Sequence, residues 1–120
     1  MNANLADTAD MGALIVITTV PDEILAVKIS ESLLQQRFGA CVHMLPPGIS
    51  RYRWHGKTDT STEITLLIKS TTDRYAELEC DIRRLHSYET PEILAFPAST
   101  GFPDYLKWIF DETRVQLVPR

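Results

Sequence analysis

The feature that most constrains this chain is a long stretch of strand-forming sequence between Pro46 and Thr72. Residues 49–55 alternate along a strand, residues 56–59 have the composition of a turn, and residues 62–71 resume the period of two. A ten-residue strand extends about 33 Å, whereas a compact domain of this length has a radius of gyration of only ~14 Å. We therefore predict a hairpin whose tip projects and is covered by other copies of the chain.

Two aromatic side chains lie on one face of this predicted hairpin. Tyr52 and Trp54 are two residues apart and share a strand face, while Arg51, Arg53 and His55 share the other. Tyrosine and tryptophan are enriched at the centres of protein interfaces. We favour a subunit interface for Tyr52 and Trp54, and packing within the subunit's own core is the alternative.

The composition is that of one globular domain. The 120 residues are 44% hydrophobic and 23% charged, with a net charge of −4, and a chain of this size folds without metal or disulfide staples. Residues 1–12 lack the apolar run of a signal peptide or membrane span. We expect a disordered tail over residues 1–12, one domain over residues 13–120, a cytoplasmic location and no membrane partner.

Strand and helix patterns alternate along the domain. Asp22 is expected to cap the first helix and Gly39 to end it in a left-handed conformation. The predicted elements are a strand over residues 13–20 that is buried on both faces, a helix with an apolar stripe from Leu25 to Phe38, a strand over residues 40–45, the hairpin, a helix capped by Thr72 and Asp73, a short strand over residues 92–98 and a terminal helix from Pro103.

This β-α-β-β-α-β order predicts an α+β fold of the ferredoxin-like type, an antiparallel sheet with two helices on one face, plus a short C-terminal helix. The RNA-recognition module shares the fold but needs aromatic residues on its central strands to stack bases. The predicted central strand, residues 62–71, has none. The acidic net charge also argues against a phosphate-binding surface. We therefore expect no nucleic-acid partner.

Three residues are candidate metal ligands. Cys41 and His43 lie two residues apart on a predicted strand, so both side chains point to one face and could bind one soft metal. His86 falls at the end of the second helix, where a histidine also interacts favourably with the helix dipole. A core cysteine and a polar strand histidine are the alternative, and we favour it on these residues alone.

A group of polar residues near the predicted sheet edge is the candidate for acid–base chemistry, and its members are Glu63, Lys69, Tyr88, Glu89 and Glu92. No nucleophile–base pair or glycine-rich phosphate loop accompanies them, so we predict no enzyme. Glu63 and Lys69 share a strand face, and we favour a solvated or interface ion pair as their role. Trp108, on the terminal helix, is most simply a packing anchor.

Several motifs in order resemble the CutA divalent-cation tolerance proteins. They are Val16-Ile17-Thr18-Thr19-Val20-Pro21-Asp22, Gly39-Ala40-Cys41-Val42, Tyr52-Arg53-Trp54-His55-Gly56-Lys57, Glu63, Ile68-Lys69-Ser70-Thr71, His86-Ser87-Tyr88-Glu89-Thr90-Pro91-Glu92 and Asp104-Tyr105-Leu106-Lys107-Trp108. The resemblance runs from about Ala13 to Arg114. Each piece is weak by itself, but their ordered combination is highly specific.

The resemblance implies a tight homotrimer assembled through its sheets, similar in plan to the PII-type signal transducers. It also implies a role in tolerance of divalent metals, with Cu²⁺ the usual candidate and no cofactor required. The family's copper site combines a first-strand cysteine with a pair of histidines before a Tyr-x-Thr-Pro-Glu motif. Thr18 stands at the cysteine position here, and only His86 remains of the histidine pair, with Leu85 before it, so both departures weaken a strong copper site.

A cleft between subunits is the other site that the resemblance implies. Its matching residues in this chain are Trp54, Glu63, Lys69, Tyr88, Glu92 and Trp108. We expect a divalent-cation tolerance protein that binds metal weakly and signals or acts as a scaffold. A small-molecule or enzymatic site in the cleft and a purely structural trimer are the alternatives.

Overall fold

The computed structural model describes residues 12–115, so the predicted tail before Gly12 and residues 116–120 lie outside the described residues. The elements, in chain order, are β1 (Ala13–Val20), α1 (Glu23–Gln35), β2 (Cys41–Met44), β3 (Gly48–Trp54), β4 (Lys57–Thr71), a 3-10 turn (Thr72–Arg74), α2 (Tyr75–Leu85), β5 (Ile93–Pro97) and α3 (Pro103–Glu112). None of these helices is long and apolar enough to cross a membrane.

The strands form one antiparallel sheet in the order β2-β4-β1-β5, and β3 pairs with β4 beyond β2. Helices α1 and α2 cover one face, as the sequence predicts. The core between them and the sheet consists of Leu14, Val16, Val20, Ala26, Ile29, Leu33, Ile64, Leu66, Ile68, Leu78 and Ile82. On β1 and β4 these are even-numbered residues, so the odd-numbered ones point to the other face, which we call the open face.

Both ends of α1 are capped, but one cap differs from the prediction. The Asp22 carboxylate accepts a 2.8 Å hydrogen bond from the Leu25 N–H, as expected for an N-cap. At the other end Arg37, with φ of 60°, takes the left-handed conformation, so the prediction of Gly39 is wrong. Gly39 is needed for space instead, because a Cβ there would lie 3.1 Å from Ile68 Cγ2.

The hairpin turns earlier than predicted. His55 and Gly56 have φ of 50° and 76°, which makes them the two-residue loop, and β4 starts directly afterwards at Lys57. The prediction of a turn over residues 56–59 is therefore wrong. Strand β4 has 15 residues, about 50 Å at 3.3 Å per residue, which matches the longest dimension of the protein, 50 Å.

Half of β4 extends beyond the rest of the sheet. Strand β1 pairs with β4 only as far as Ile64, opposite Val20. Residues 57–63 of β4 pair with β3 alone, so residues 48–63 project as a two-stranded ribbon. The ribbon has the projecting tip that the sequence predicts.

A register shift separates β2 from β3. Cys41 lies opposite Lys69, and Gly48 lies opposite Glu63. The chain therefore advances seven residues from β2 to β3 while the paired positions on β4 advance only six. The additional residue falls at Pro46-Pro47 and acts as a β-bulge, which reverses the alternation of side chains. As a result, Tyr52 on β3 points to the same face as Cys41 on β2.

The open face carries exposed apolar side chains. Ile15 lies opposite Phe96 and Ile17 lies opposite Leu94. Ile15, Leu94 and Phe96 are between 38% and 53% exposed. The prediction that β1 is buried on both faces is wrong for the single chain, because α1 and α2 cover one side of the sheet only.

Helix α3 packs at the end of the sheet where β4 finishes. The hydroxyls of Thr71 and Thr113 lie 3.3 Å apart, and both side chains are fully buried. Arg114 pairs with Asp73 and also donates to Thr71. These contacts fix the terminal helix to the 3-10 turn that precedes α2.

Candidate functional site

A cleft of about 680 Å³ lies between the ribbon and the segment that connects α2 to β5. This volume is in the range of small-molecule sites, about 300–1,000 Å³. Its lining comprises Thr19, Ser50, Arg51, Tyr52, Trp54, Glu63, Ser87, Tyr88, Glu89, Thr90 and Glu92. Strands β1, β3 and β4 supply one wall and residues 87–92 supply the other.

One hydrogen bond joins the two walls. The Tyr88 hydroxyl donates to Glu63 Oε2 at 2.8 Å. Burial, together with this bond and the Glu63 charge, raises the pKa of Tyr88 to about 12. Tyr88 is therefore a neutral donor at physiological pH.

His86 holds the connecting segment against the sheet. Its Nδ1 accepts a hydrogen bond from the Tyr88 N–H at 3.0 Å, so the ring proton lies on Nε2 and is donated to the Thr19 carbonyl at 2.7 Å. The two rings also contact each other, with centroids 4.7 Å apart. The imidazole thus fixes the position of Tyr88 relative to β1.

The cleft is acidic. In residues 12–115, no basic nitrogen lies within 4.0 Å of the carboxylates of Glu63, Glu89 or Glu92. Arg51 is the one basic residue in the lining, against three carboxylates. The cleft therefore favours a cation over an anion.

The structure brings together four of the six residues predicted for the cleft, namely Trp54, Glu63, Tyr88 and Glu92. Glu89, considered for acid–base chemistry, joins them. Lys69 lies on the open face between Ile15 and Cys41, about 20 Å along β4 from Glu63. Trp108 stacks on Tyr105 with centroids 5.7 Å apart. The contribution of Lys69 and Trp108 to a cleft between subunits stays a prediction.

Sequence reasoning missed several lining residues: Thr19, Ser50, Ser87 and Thr90. Ser87 and Thr90 belong to the same motif as Tyr88, residues 86–92, and this was the sequence signal that could have placed them in the cleft. Thr19 also lies in one of the matching motifs, whereas Ser50 gave no signal, because strand periodicity does not reveal which segments meet across a sheet end.

The candidate metal ligands are separated. Cys41 and His43 share the open face of β2, where the first is half-buried and the second exposed. His86 has both ring nitrogens in hydrogen bonds beside β1. In the described part of the chain, no three His, Cys, Asp or Glu side chains are grouped to hold a metal ion. Two donors from one chain fit an open, weak site rather than a closed one with four ligands.

The predicted interface aromatics belong to the open face. Tyr52 and Trp54 are 37% and 46% exposed, and the Tyr52 hydroxyl lies 2.7 Å from Ser61 Oγ. The bulge at Pro46-Pro47 gives them the same orientation as Ile15 and Phe96. The open face therefore continues from the sheet onto the ribbon.

Comparison with known proteins gives one consistent result. A family model for the CutA1 divalent ion tolerance protein matches residues 14–112. The divalent-cation tolerance protein CutA of Pectobacterium atrosepticum is 38% identical over 105 residues, which are 88% of this chain and 96% of that protein.

Two solved structures extend the comparison. The divalent cation tolerance protein from Thermus thermophilus is 37% identical, with a TM-score of 0.84 over 85% of this chain and 99% of that one. A protein from Archaeoglobus fulgidus, described as a periplasmic divalent cation tolerance protein CutA, is 30% identical, with a TM-score of 0.82 over 85% and 99%.

Proposed function

The chain belongs to the CutA1 divalent ion tolerance family, and from this premise we propose a homotrimer that binds divalent metal ions weakly, Cu²⁺ in particular. In this proposal the protein requires no cofactor, is not an enzyme, and has a signalling or scaffold role. The observation that carries the proposal is the open face of the sheet.

Self-association is supported by the exposed apolar side chains of this face. Ile15, Leu94 and Phe96 on the sheet and Tyr52 and Trp54 on the ribbon all point the same way and are all partly exposed. Monomeric proteins rarely expose a large contiguous apolar patch. Contact between the sheets of neighbouring chains would remove Ile15, Leu94 and Phe96 from water, and Tyr52 and Trp54 would lie where this interface meets the cleft that they also line.

Metal binding is supported by the donors on the same face. A thiol and an imidazole two residues apart suit a soft or borderline ion, and Cu²⁺ has the highest affinity among divalent first-row metals. We propose Cys41 and His43 as ligands. His86 would join them only by giving up its bond to Tyr88 or to Thr19.

Light scattering and calorimetry test the two parts of this proposal. We expect a particle of about three times the 13.6 kDa chain mass at micromolar concentration, and a particle of 13.6 kDa would rule out self-assembly. Titration with Cu²⁺ should give heat that is reduced in Cys41→Ala and His43→Ala. Identical isotherms for His86→Ala and wild type would remove His86 as a ligand, and no heat with wild type would contradict metal binding.

A second candidate function is small-molecule binding in the cleft. The observation that favours it is the hydrogen-bonded closure of the two walls by Tyr88 and Glu63. A thermal-shift screen of metabolites tests this function, because a ligand that binds the folded state raises its melting temperature. No shift with any compound would count against it.

We also propose a cytoplasmic location. Cys41 and Cys80 are both free thiols in the structure, which is the usual state of cysteines in a reducing compartment. Cell fractionation tests this location, and recovery from the periplasm, the location named for the Archaeoglobus fulgidus relative, would contradict it.

A further inference from the structure

We propose that the cleft beside the ribbon binds a small aliphatic di- or polyamine. The inference rests on the proposed small-molecule site and names the chemical class of its ligand. It does not involve Cys41 or His43, so its failure can be distinguished from failure of metal binding.

The negative charge of the cleft is spread along its walls. Glu63, Glu89 and Glu92 line one cleft without a basic partner within 4.0 Å in the described residues. Nevertheless, no three acidic, histidine or cysteine side chains in residues 12–115 are grouped to hold a metal ion. Carboxylates that share a cleft but do not converge on one point match a ligand with separated positive charges. Ammonium groups spaced by methylene chains have this geometry, and each can form a charge-assisted hydrogen bond.

The cleft also has an aromatic wall. Tyr52 and Trp54 line the same cleft and are 37% and 46% exposed in the single chain. An ammonium group is attracted to the face of an aromatic ring, tryptophan most strongly. The methylene chain of an amine also gains contact with these rings, as the stem of a lysine does on an apolar surface.

Hydrogen bonds already hold part of the site in place. The Tyr88 hydroxyl donates a hydrogen bond to Glu63 Oε2. Within residues 12–115, no group donates a hydrogen bond to the other carboxylate oxygen, Glu63 Oε1. His86 fixes the backbone of Tyr88 by its bonds to Tyr88 N and the Thr19 carbonyl. A ligand would therefore meet an ordered acceptor, which reduces the entropic cost of binding.

Arg51 distinguishes a cationic ligand from an anionic one. It is the one basic residue in the lining, and although its side chain alternates to the ribbon face opposite Tyr52, its positive charge at the cleft repels a polycation. Replacing it with a neutral residue should therefore strengthen amine binding, whereas an anionic ligand would lose affinity.

Titration of the full-length, assembled protein with spermidine and with putrescine tests the proposal. We expect binding that weakens with added salt. Affinity should fall about three- to tenfold in Glu89→Gln and in Glu92→Gln, and should rise in Arg51→Gln. The matched control is Glu31→Gln, an exposed carboxylate on α1 away from the cleft, which should leave the affinity unchanged.

Three results would overturn the proposal: no binding of either amine at millimolar concentration, equal weakening by Glu31→Gln and Glu92→Gln, or weaker binding in Arg51→Gln. Light scattering on each variant confirms that the assembly is retained. If the His43→Ala variant still binds spermidine but gives less heat on titration with Cu²⁺, the amine and the metal bind at separate sites. An unchanged Cu²⁺ isotherm with no amine binding would reject the amine and leave the metal proposal standing.

Discussion

The Tyr88 hydroxyl and Glu63 Oε2 lie 2.8 Å apart although 25 residues separate them in the sequence. This bond connects the ribbon side of β4 to the segment after α2. Because the folded-state pKa of Tyr88 is about 12 rather than 10.0, the unfolded chain loses this proton first as the pH rises. The stability that Tyr88 contributes is fully present below pH 10 and is lost between about pH 10 and 12.

We predict that Tyr88→Phe lowers the free energy of unfolding by about 1 kcal/mol at pH 7. Between pH 10 and 12 the free energy of unfolding should fall less steeply with pH in this variant than in the wild type. Denaturant unfolding at a series of pH values measures both effects. The control is Tyr105→Phe, at an exposed position on α3, which should retain the wild-type decline. An unchanged slope in Tyr88→Phe would show that the bond does not control this titration.

Thr18 should be a site where a polar group destabilises the fold. Its Oγ1 is the one buried side-chain oxygen or nitrogen in residues 12–115 without a hydrogen-bond partner. We predict that Thr18→Val raises stability by about 1 kcal/mol, since the unmet hydroxyl is removed at constant shape. Thr71 is equally buried but bonds to Asp73 and Arg114, so Thr71→Val should destabilise. Opposite signs in thermal unfolding are expected, and a loss in both variants would contradict the prediction.

Arg74 is predicted to be the most costly arginine to remove. It is 9% exposed, donates to the carbonyls of Gln36 and Arg37 at the end of α1, and stacks over Phe38 at 5.0 Å. We expect Arg74→Ala to lose about 2–3 kcal/mol, because charged hydrogen bonds and packing are removed together.

Chemical denaturation measures this loss, with Arg83→Ala as the control. Arg83 is exposed on α2, so its removal should change stability by less than about 0.5 kcal/mol. Arg74→Lys should restore little, since an ammonium cannot reproduce the guanidinium fork. Similar stabilities for the two alanine variants would show that Arg74 does not support the end of α1.

Two isoleucines distinguish the proposed interface from the rest of the surface. Ile15 is 38% exposed on the open face, whereas Ile24 is 82% exposed on α1. We predict that Ile15→Lys dissociates the assembly, because a buried charge without a partner is costly, while Ile24→Lys leaves it intact. Light scattering reads the mass directly, and an assembled Ile15→Lys variant would place the interface elsewhere.

Local pattern was sufficient for most element positions. The continuous β-branched run gave β1 its observed limits, Ala13 and Val20, and Pro103 marked the start of α3. Asp22 was identified as a cap because a short carboxylate before an apolar stripe has few other roles. Such features depend on neighbours within about four residues, which a sequence states explicitly.

The candidate site depended on contacts that no local pattern contains. Motif resemblance indicated Trp54, Glu63, Tyr88 and Glu92, but Thr19 and Ser50 entered the cleft only when the ribbon met the connecting segment. The left-handed residue after α1 was Arg37 rather than Gly39. The carbonyls of Gln36 and Arg37 accept hydrogen bonds from Arg74, and Ile68 limits the space for a side chain at Gly39. Both contacts join segments that are distant in the sequence, so no local pattern contains them.

Thus the sequence alone determined the order, period and most of the limits of the strands and helices, since these follow from side-chain alternation and capping. Tertiary structure alone decided which faces those strands present. The additional residue at Pro46-Pro47 has an effect only because β2 and β3 pair along the same strand β4, with different registers. That shift turns Tyr52 and Trp54 to the face that carries Cys41 and His43, because one inserted residue reverses every side chain that follows it.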